Sequence, residues 1–436
     1  MERKREKLWM GCLFAITSCV FLTACTSNSP KTSEKTGDNE SVTLTIYAQY
    51  ADEDTMYPYD YAVEKLKEAY PNVTLKLDIQ AQDDGQKLQT YAITGNLPDI
   101  YQAGKQQIEA FKESGNIMRL NEVAKEVGFD QKITKDANDI LYDEDGNIYA
   151  FPYAGNEVVL WYYNKDLFQK YGLEVPKTFD ELCHVIDVFK EHGIIPMALF
   201  GKEKWVTTAL YDILATRFEP GGIKELDAGT VLELGEGYQE AANVLQQLAS
   251  RGMFPSNVTS LNYDQAVELF YSGGAAMMIN GQWEMGSAYE KMKDSVDWMY
   301  YPSYSEEAYE AGKKVFSGGG TIGGYAVNPN SRHRELAAKV AAFISEKYCE
   351  AKYLYRSNPF VTIQIEEEPK TPFNEMTKRL LSATKEAQYT RFTWGLSNAR
   401  FKTEIEDKTQ LLLTSQYRKE EFCDEMNSLL QKMKEE

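Results

Sequence analysis

The chain has 436 residues, with 47 Lys and Arg against 66 Asp and Glu, a formal net charge of −19. Such an acidic surface disfavours nucleic acid and anionic lipid as partners, since both would repel it. Roughly 400 residues exceed one ordinary domain, which predicts two lobes with separate cores, and six cysteines in that length exclude a disulfide scaffold.

Met1 to Lys7 (MERKREK) is basic and Leu8 to Ala24 is apolar, ending in Leu22-Thr-Ala-Cys25, which resembles the lipobox of a bacterial lipoprotein. The apolar run is shorter than the roughly 20 residues a spanning helix needs, so residues 1–24 read as a secretory signal. The resemblance implies a mature chain that begins at Cys25 with a diacylglycerol on its thiol, because two acyl chains anchor stably where one is marginal. Cleavage removes four basic and two acidic residues and leaves a net charge of −21. Residues 26–40 (TSNSPKTSEKTGDNE) hold no aliphatic or aromatic side chain, so 25–40 is expected to be a flexible tether. Cys183, Cys349 and Cys423 then remain, an odd and widely spaced set that reads as small apolar residues.

Val42, Leu44 and Ile46 alternate with polar neighbours, as do Val73, Leu75, Leu77 and Ile79, and both stretches read as strands. Between them Tyr59 to Tyr70 gathers Ala62, Val63, Leu66 and Ala69 on one helical face, with Pro71 as the stop. A strand, a crossover helix and a strand imply a parallel pair in an α/β lobe with helices on both sheet faces. The pattern continues with a helix at Leu88–Ile93 and a strand at Pro98–Tyr101. Further on come a helix at Phe179–Glu191, a strand at Pro196–Phe200, helices at Ala241–Ala249 and Tyr263–Tyr271, and a strand at Ala275–Asn280.

Ligands of open α/β sheets bind outside the carboxyl ends of the strands. After the first strand come Gln49, Tyr50 and Asp52; after the second, Gln82, Asp83 and Asp84; after the third, Tyr101 and Gln102. Beyond Phe200 stand Lys202, Glu203 and Trp205, and beyond Ile279 stand Asn280, Gln282 and Trp283. Flat aromatic faces beside amides and carboxylates suit a sugar, whose C–H surfaces stack and whose hydroxyls hydrogen-bond.

Thr94-Gly-Asn-Leu-Pro-Asp-Ile-Tyr101, Tyr149-Ala-Phe-Pro-Tyr153, Leu160-Trp-Tyr-Tyr-Asn-Lys-Asp-Leu-Phe168, Val175-Pro-Lys-Thr-Phe-Asp-Glu-Leu182, Ala275-Ala-Met-Met-Ile-Asn-Gly-Gln-Trp283 and Gly323-Gly-Tyr-Ala-Val327 together resemble the landmarks of family 1 extracellular solute-binding proteins. These are carbohydrate-binding components of ABC importers, similar in architecture to maltose-binding protein. The resemblance implies a two-lobed periplasmic-binding-protein-like α/β fold, each lobe a mixed, mostly parallel sheet flanked by helices and joined to the other by hinge strands. Residues 41–155 with about 322–362 would form one lobe, and 156–321 with 363–436 the other. It also implies stacking roles for Trp283, Trp205 and Trp394, a ligand-bonding carboxylate at Glu157, and a polar ligand loop at Gln49 and Asp52. The expected partners are a carbohydrate and the permease subunits of an ABC transporter, reached by a lipid-anchored monomer without a cofactor.

Simpler roles compete at several positions. Asp99 is expected to cap backbone N–H groups, Asp83 and Asp84 to form a turn before Gly85, and the pairs Tyr162-Tyr163 and Tyr300-Tyr301 to serve strand cores, since neighbours on a strand point to opposite faces. Gly318-Gly-Gly-Thr-Ile-Gly323 satisfies G-x-G-x-x-G but precedes a strand where a dinucleotide site needs a helix. The three histidines form no H-x-x-x-H pair. No enzyme is expected. The rival readings are a receptor for a polyamine or peptide, and a surface glycoside hydrolase, for which a chain this acidic always offers a carboxylate pair.

Overall fold

The computed structural model describes residues 41–436 apart from 82, 84, 135, 136, 144, 320–322, 392, 415 and 436. The signal segment, the lipidation residue Cys25, the tether, Gln82 and Asp84 therefore lie outside the described residues. Strands run in chain order as β1 (Val42–Ala48), β2 (Val73–Ile79), β3 (Ile100–Ala103), β4 (Val159–Asn164), β5 (Ile195–Ala198), β6 (Ala275–Gly281), β7 (Val296–Met299), β8 (Val315–Phe316), β9 (Gly324–Val327) and β10 (Gln388–Tyr389).

Two four-stranded sheets carry the fold, ordered β2-β1-β3-β9 and β5-β6-β4-β7, with β8 and β10 forming a small parallel pair. In the first, β1 lies parallel to β2 and β3 while β9 closes the edge antiparallel to β3. In the second, β5 and β6 are parallel but β4 runs against both β6 and β7. Each sheet thus has three strands in one direction and one reversed, at the edge in the first and inside in the second. Reversing an inner strand makes most pairings of the second sheet antiparallel, a departure from the mostly parallel expectation for that lobe.

Alternation along β1 explains the layering. Leu44, Ile46 and Ala48 enter one core, packed on the Glu53–Ala69 and Arg334–Tyr355 helices, while Tyr47 enters a smaller one with Leu88, Tyr101, Ile108 and Phe111. Helices therefore cover both faces, as period-two alternation between two apolar faces requires. The largest core surrounds the second sheet and includes Trp161, Tyr162, Phe189, Leu210, Leu245, Met277, Phe401 and Met426. Trp161 and Tyr162 are fully buried, and the Tyr162 hydroxyl donates to the Gly281 carbonyl at 2.7 Å, so that tyrosine serves the core.

Two helix boundaries match their sequence expectation, Phe179–Glu191 and Tyr263–Tyr271. The first helix starts earlier than expected, at Glu53, and carries Pro58 inside it. Proline marks a break because it lacks an N–H; here the reciprocal bonds of Asp52 and Thr55 secure the helix start ahead of it. Asp99 accepts from the backbone N–H and hydroxyl of Thr45 and from Ser331, the capping role expected of it. Cys183, Cys349 and Cys423 are free thiols.

Between the two sheets lie three stretches of chain, near residues 151–159, 316–319 with 323–325, and 356–363, and they are tied together. The Gly155 N–H donates to the Phe360 carbonyl at 3.0 Å, Val158 bridges Gly318, and Gly319 donates to the Glu157 carbonyl. Gly323, at φ +98°, leaves room where a Cβ would stand 1.9 Å from the Ala103 carbonyl oxygen, the close packing its glycine-rich run suggests.

Candidate functional site

Three indoles converge on one edge of the second sheet. Trp283 lies in the single helical turn Gln282–Glu284 that follows β6, Trp205 opens the Trp205–Ala215 helix beyond β5, and Trp394 sits in the turn Thr393–Gly395 before the Ala399–Leu412 helix. Ring centroids are 5.7 Å apart for Trp205 and Trp283, 5.1 Å for Trp205 and Trp394, and 6.0 Å for Trp283 and Trp394, the last pair stacked at 28°. All three are half-buried. Beneath Trp283 the absence of a side chain at Gly281 matters, since a Cβ there would stand 2.1 Å from the indole ring. Phe200 meets Trp205 at 5.4 Å and Tyr263 at 4.9 Å, extending the aromatic surface toward a polar region.

That region is built around buried carboxyls. Glu284, the residue after Trp283, accepts from the hydroxyls of Tyr263 and Tyr271, and Asn280 donates to Tyr263. Burial pushes the Glu284 carboxyl up to about 7, against the lowering effect of the two hydroxyls, with Asp54 and Asp52 adding to the rise. Glu157 is also raised to about 7, by burial first, opposed by Lys352. The Lys352 ammonium stands 3.6 Å from Asp54 and 3.7 Å from Glu157, and Arg356 lies 3.8 Å from Asp54. Desolvation alone would lower Lys352, yet the carboxylates of Asp54 and Glu157 outweigh it and hold the ammonium charged.

Gln282 joins the aromatic and polar parts. Its Oε1 accepts from the Val158 N–H at 2.7 Å, and its own N–H donates to the Val158 carbonyl at 2.9 Å. Trp283 and Glu157, each next in sequence to one partner of this reciprocal pair, are thereby held in fixed relation.

The sequence-derived residues of the first sheet are more dispersed. Asp52 caps its helix through Thr55, Tyr50 donates to Asp60 at 3.0 Å, and the Gln49 N–H donates to Gln102 at 2.7 Å. Asp83 accepts from the N–H groups of Gly85 and Lys87, which makes it a turn-former. Glu203 holds a buried Oε2 without a hydrogen-bond partner, and burial raises its carboxyl. Sequence reasoning missed Asp54, Glu284, Lys352, Arg356, Tyr263 and Tyr271. Glu284 was within reach, being the next residue after the Trp283 motif. Lys352 and Arg356 look like ordinary cations near a helix C-terminus, and nothing local sets them apart.

A surface groove of about 280 Å³ lies elsewhere, between the Ala399–Leu412 and Lys419–Glu435 helices. Lys408 there bonds Glu404 and Glu425, and the groove offers no aromatic face.

The two sheets, the three linking passes and the aromatic edge define a two-lobed α/β solute-binding fold. The chain belongs to the bacterial extracellular solute-binding protein family, whose model matches residues 50–347. It is 22% identical over 388 residues to the multiple sugar-binding protein of Streptococcus mutans, covering 86% of each chain. Among solved structures it superposes at a TM-score of 0.77 on a chitin oligosaccharide binding protein, at 22% identity, covering 92% of this chain and 100% of that one. A structure from a study of xylan utilization by Caldanaerobius polysaccharolyticus gives the same TM-score at 23% identity, covering 89% and 100%.

Proposed function

We propose that this protein captures a carbohydrate between its two lobes and delivers it to the permease of an ABC transporter, without covalent chemistry. The observation that carries the reading is the convergence of Trp205, Trp283 and Trp394 at the carboxyl edge of the second sheet, tied through Gln282 to the buried carboxyl of Glu157. Indole faces stack on sugar rings while carboxylates and amides order the hydroxyls. The names of relatives that bind sugars support the same class of solute. In this reading the lobes are residues 41–155 with about 322–362, and 156–321 with 363–436. The solute contacts both lobes only when they close on it, and that differential affinity shifts the population toward the closed form. A diacylglycerol on Cys25 would hold the receptor, as a monomer, at the outer face of the membrane beside its permease.

A thermal-shift screen of the chain from Val42 onward tests this, because a ligand that binds only the folded state raises the melting temperature. Xylotriose, chitotriose, raffinose and stachyose are the first probes, with spermidine and peptides alongside. A shift with a sugar that is recovered intact after long incubation is the expected result. A shift with spermidine or peptide alone, or consumption of the sugar, would overturn it.

A further inference from the structure

Four charged side chains meet where the first lobe faces the residues around Trp283. Asp54 comes from the first turn of the Glu53–Ala69 helix, Lys352 and Arg356 from the end of the Arg334–Tyr355 helix, and Glu157 from the first linking pass. Their side chains are only 13%, 5%, 10% and 8% exposed, respectively. Charges buried to this degree are normally finished with hydrogen bonds, because an unsatisfied one has lost its hydration without replacement. Here the nitrogen-to-oxygen separations are 3.6, 3.7 and 3.8 Å, beyond a good hydrogen bond at roughly 2.7–3.2 Å.

Arg356 Nε, the nitrogen that stands 3.8 Å from Asp54, is buried without a hydrogen-bond partner, and so is one further donor, Asn358 Nδ2. Asn358 is joined to the group by its N–H, which donates to the Lys352 carbonyl at 3.1 Å. The cluster also reaches the aromatic platform. Arg356 Nη2 donates to Ser287 Oγ at 3.3 Å, in the helix that follows Glu284, and Glu157 adjoins Val158, the partner of Gln282.

The chemistry of a fitting ligand follows from the balance of charge. Two buried carboxylates face two buried cations, with the exposed Glu53 3.8 Å from Arg356 at the rim, so an ionic ligand would upset the pairing inside, whereas a hydroxyl can donate to a carboxylate and accept from an ammonium or guanidinium at once. We infer that Asp54, Glu157, Lys352 and Arg356 form a hydroxyl-binding site that grips an uncharged diol of the ligand, with the two cations donating to its oxygens and the two carboxylates accepting its protons. This rests on the carbohydrate reading above and adds Asp54, Lys352 and Arg356 as specificity-determining residues. The site selects for neutral sugars over amines and phosphorylated solutes, and its donors and acceptors come from both the first lobe and the linking pass.

Isothermal titration of the mature chain with the sugar found by the screen tests the assignment, using Lys352→Met, Lys352→Arg and Arg356→Gln beside Trp283→Ala. The expected result is at least tenfold weaker binding in Lys352→Met and Arg356→Gln, with part of the loss recovered in Lys352→Arg and the ligand-free melting temperature of Arg356→Gln unchanged. Arg356 lies at a helix end, so its variant keeps the test open where Lys352→Met does not fold. Wild-type affinity in both folded variants, together with a loss in Trp283→Ala, would overturn the hydroxyl site while sparing the carbohydrate reading. A wild-type chain that binds none of the four sugars would overturn both.

Discussion

Two of the buried charge clusters among the described residues are finished to different degrees. Asp212 accepts from the Ile223 N–H at 2.8 Å, Ser317 Oγ at 2.6 Å and Thr390 Oγ1 at 2.5 Å. Arg217, a few residues on, donates to Thr216 Oγ1 and to the carbonyls of Gly312 and Val315 at 2.9–3.2 Å. Its guanidinium also lies over the Tyr301 ring, 5.2 Å from the centroid. The cluster of Asp54, Glu157, Lys352 and Arg356 has the same ingredients at 3.6–3.8 Å, and the guanidinium Nε at the longest of these distances has no hydrogen-bond partner. Burial of charge is thus no sign of function by itself. A cluster with its donors and acceptors used is a structural joint, and one with loose distances and unpaired donors keeps hydrogen-bonding capacity unspent.

The contrast can be broken most severely at the finished cluster. Asp212→Ala would strand Ser317, Thr390 and the Ile223 N–H in the core, and should cost about 3 kcal/mol of stability or more. Sugar affinity of the chain that remains folded should stay within about twofold, a margin worth under 1 kcal/mol. Urea unfolding and titration would check both, and a variant that kept its stability but lost affinity would erase the distinction. At the aromatic platform, Trp283→Ala should weaken sugar binding by about 2 kcal/mol, roughly thirtyfold, with little change in unfolding. Titration against the sugar from the screen measures it, and unchanged affinity would remove Trp283 from the site.

The smallest effect is one of pH. Glu157, facing Lys352, Asp54 and Tyr153, titrates near 7 in the folded chain and near its ordinary 4.5 once unfolded. The folded state therefore binds the extra proton between those values, so this group's contribution to stability rises as pH falls from 7 to 4.5 and is lost as pH rises through 7. Its ceiling is on the order of 3 kcal/mol, reduced by coupling to Asp54 and Lys352. Glu157→Gln should reduce the slope of the melting-temperature profile from pH 8 to 4.5 without abolishing it, because Glu284 and Asp212, raised by burial to about 7 and about 6, titrate there in the same direction. An unaltered slope would show that Glu157 is not the group responsible.

Sequence named the three indoles and Glu157 of the candidate site but not Asp54, Lys352 and Arg356, for a physical reason. Trp205 and Trp283 follow strands that alternation and flanking turns reveal, and strand ends point to ligand sites in α/β sheets. Lys352 meets Glu157 across almost 200 residues and Asp54 across almost 300, and a cation late in a helix carries no mark of such a meeting. The crossover unit of β1, the first helix and β2 was legible because its strands alternate and its helix has one apolar face. The reversed direction of β4 was not, since a buried strand reads the same either way. Gln282 shows a third case: its place at a strand end was visible, but its reciprocal bonds to Val158 could be seen only in three dimensions.

Six tryptophans occur in the chain, and one of them, Trp9, lies in the segment read as a signal. Of the five others, three meet within 6.0 Å of one another at the aromatic edge, while Trp161 and Trp298 are sealed in the core. Indoles this close exchange excitation energy, so a solute that touches one of them would alter the emission of three of the five tryptophans among the described residues. The receptor carries its own optical gauge, and its occupancy can be followed in the unlabelled chain.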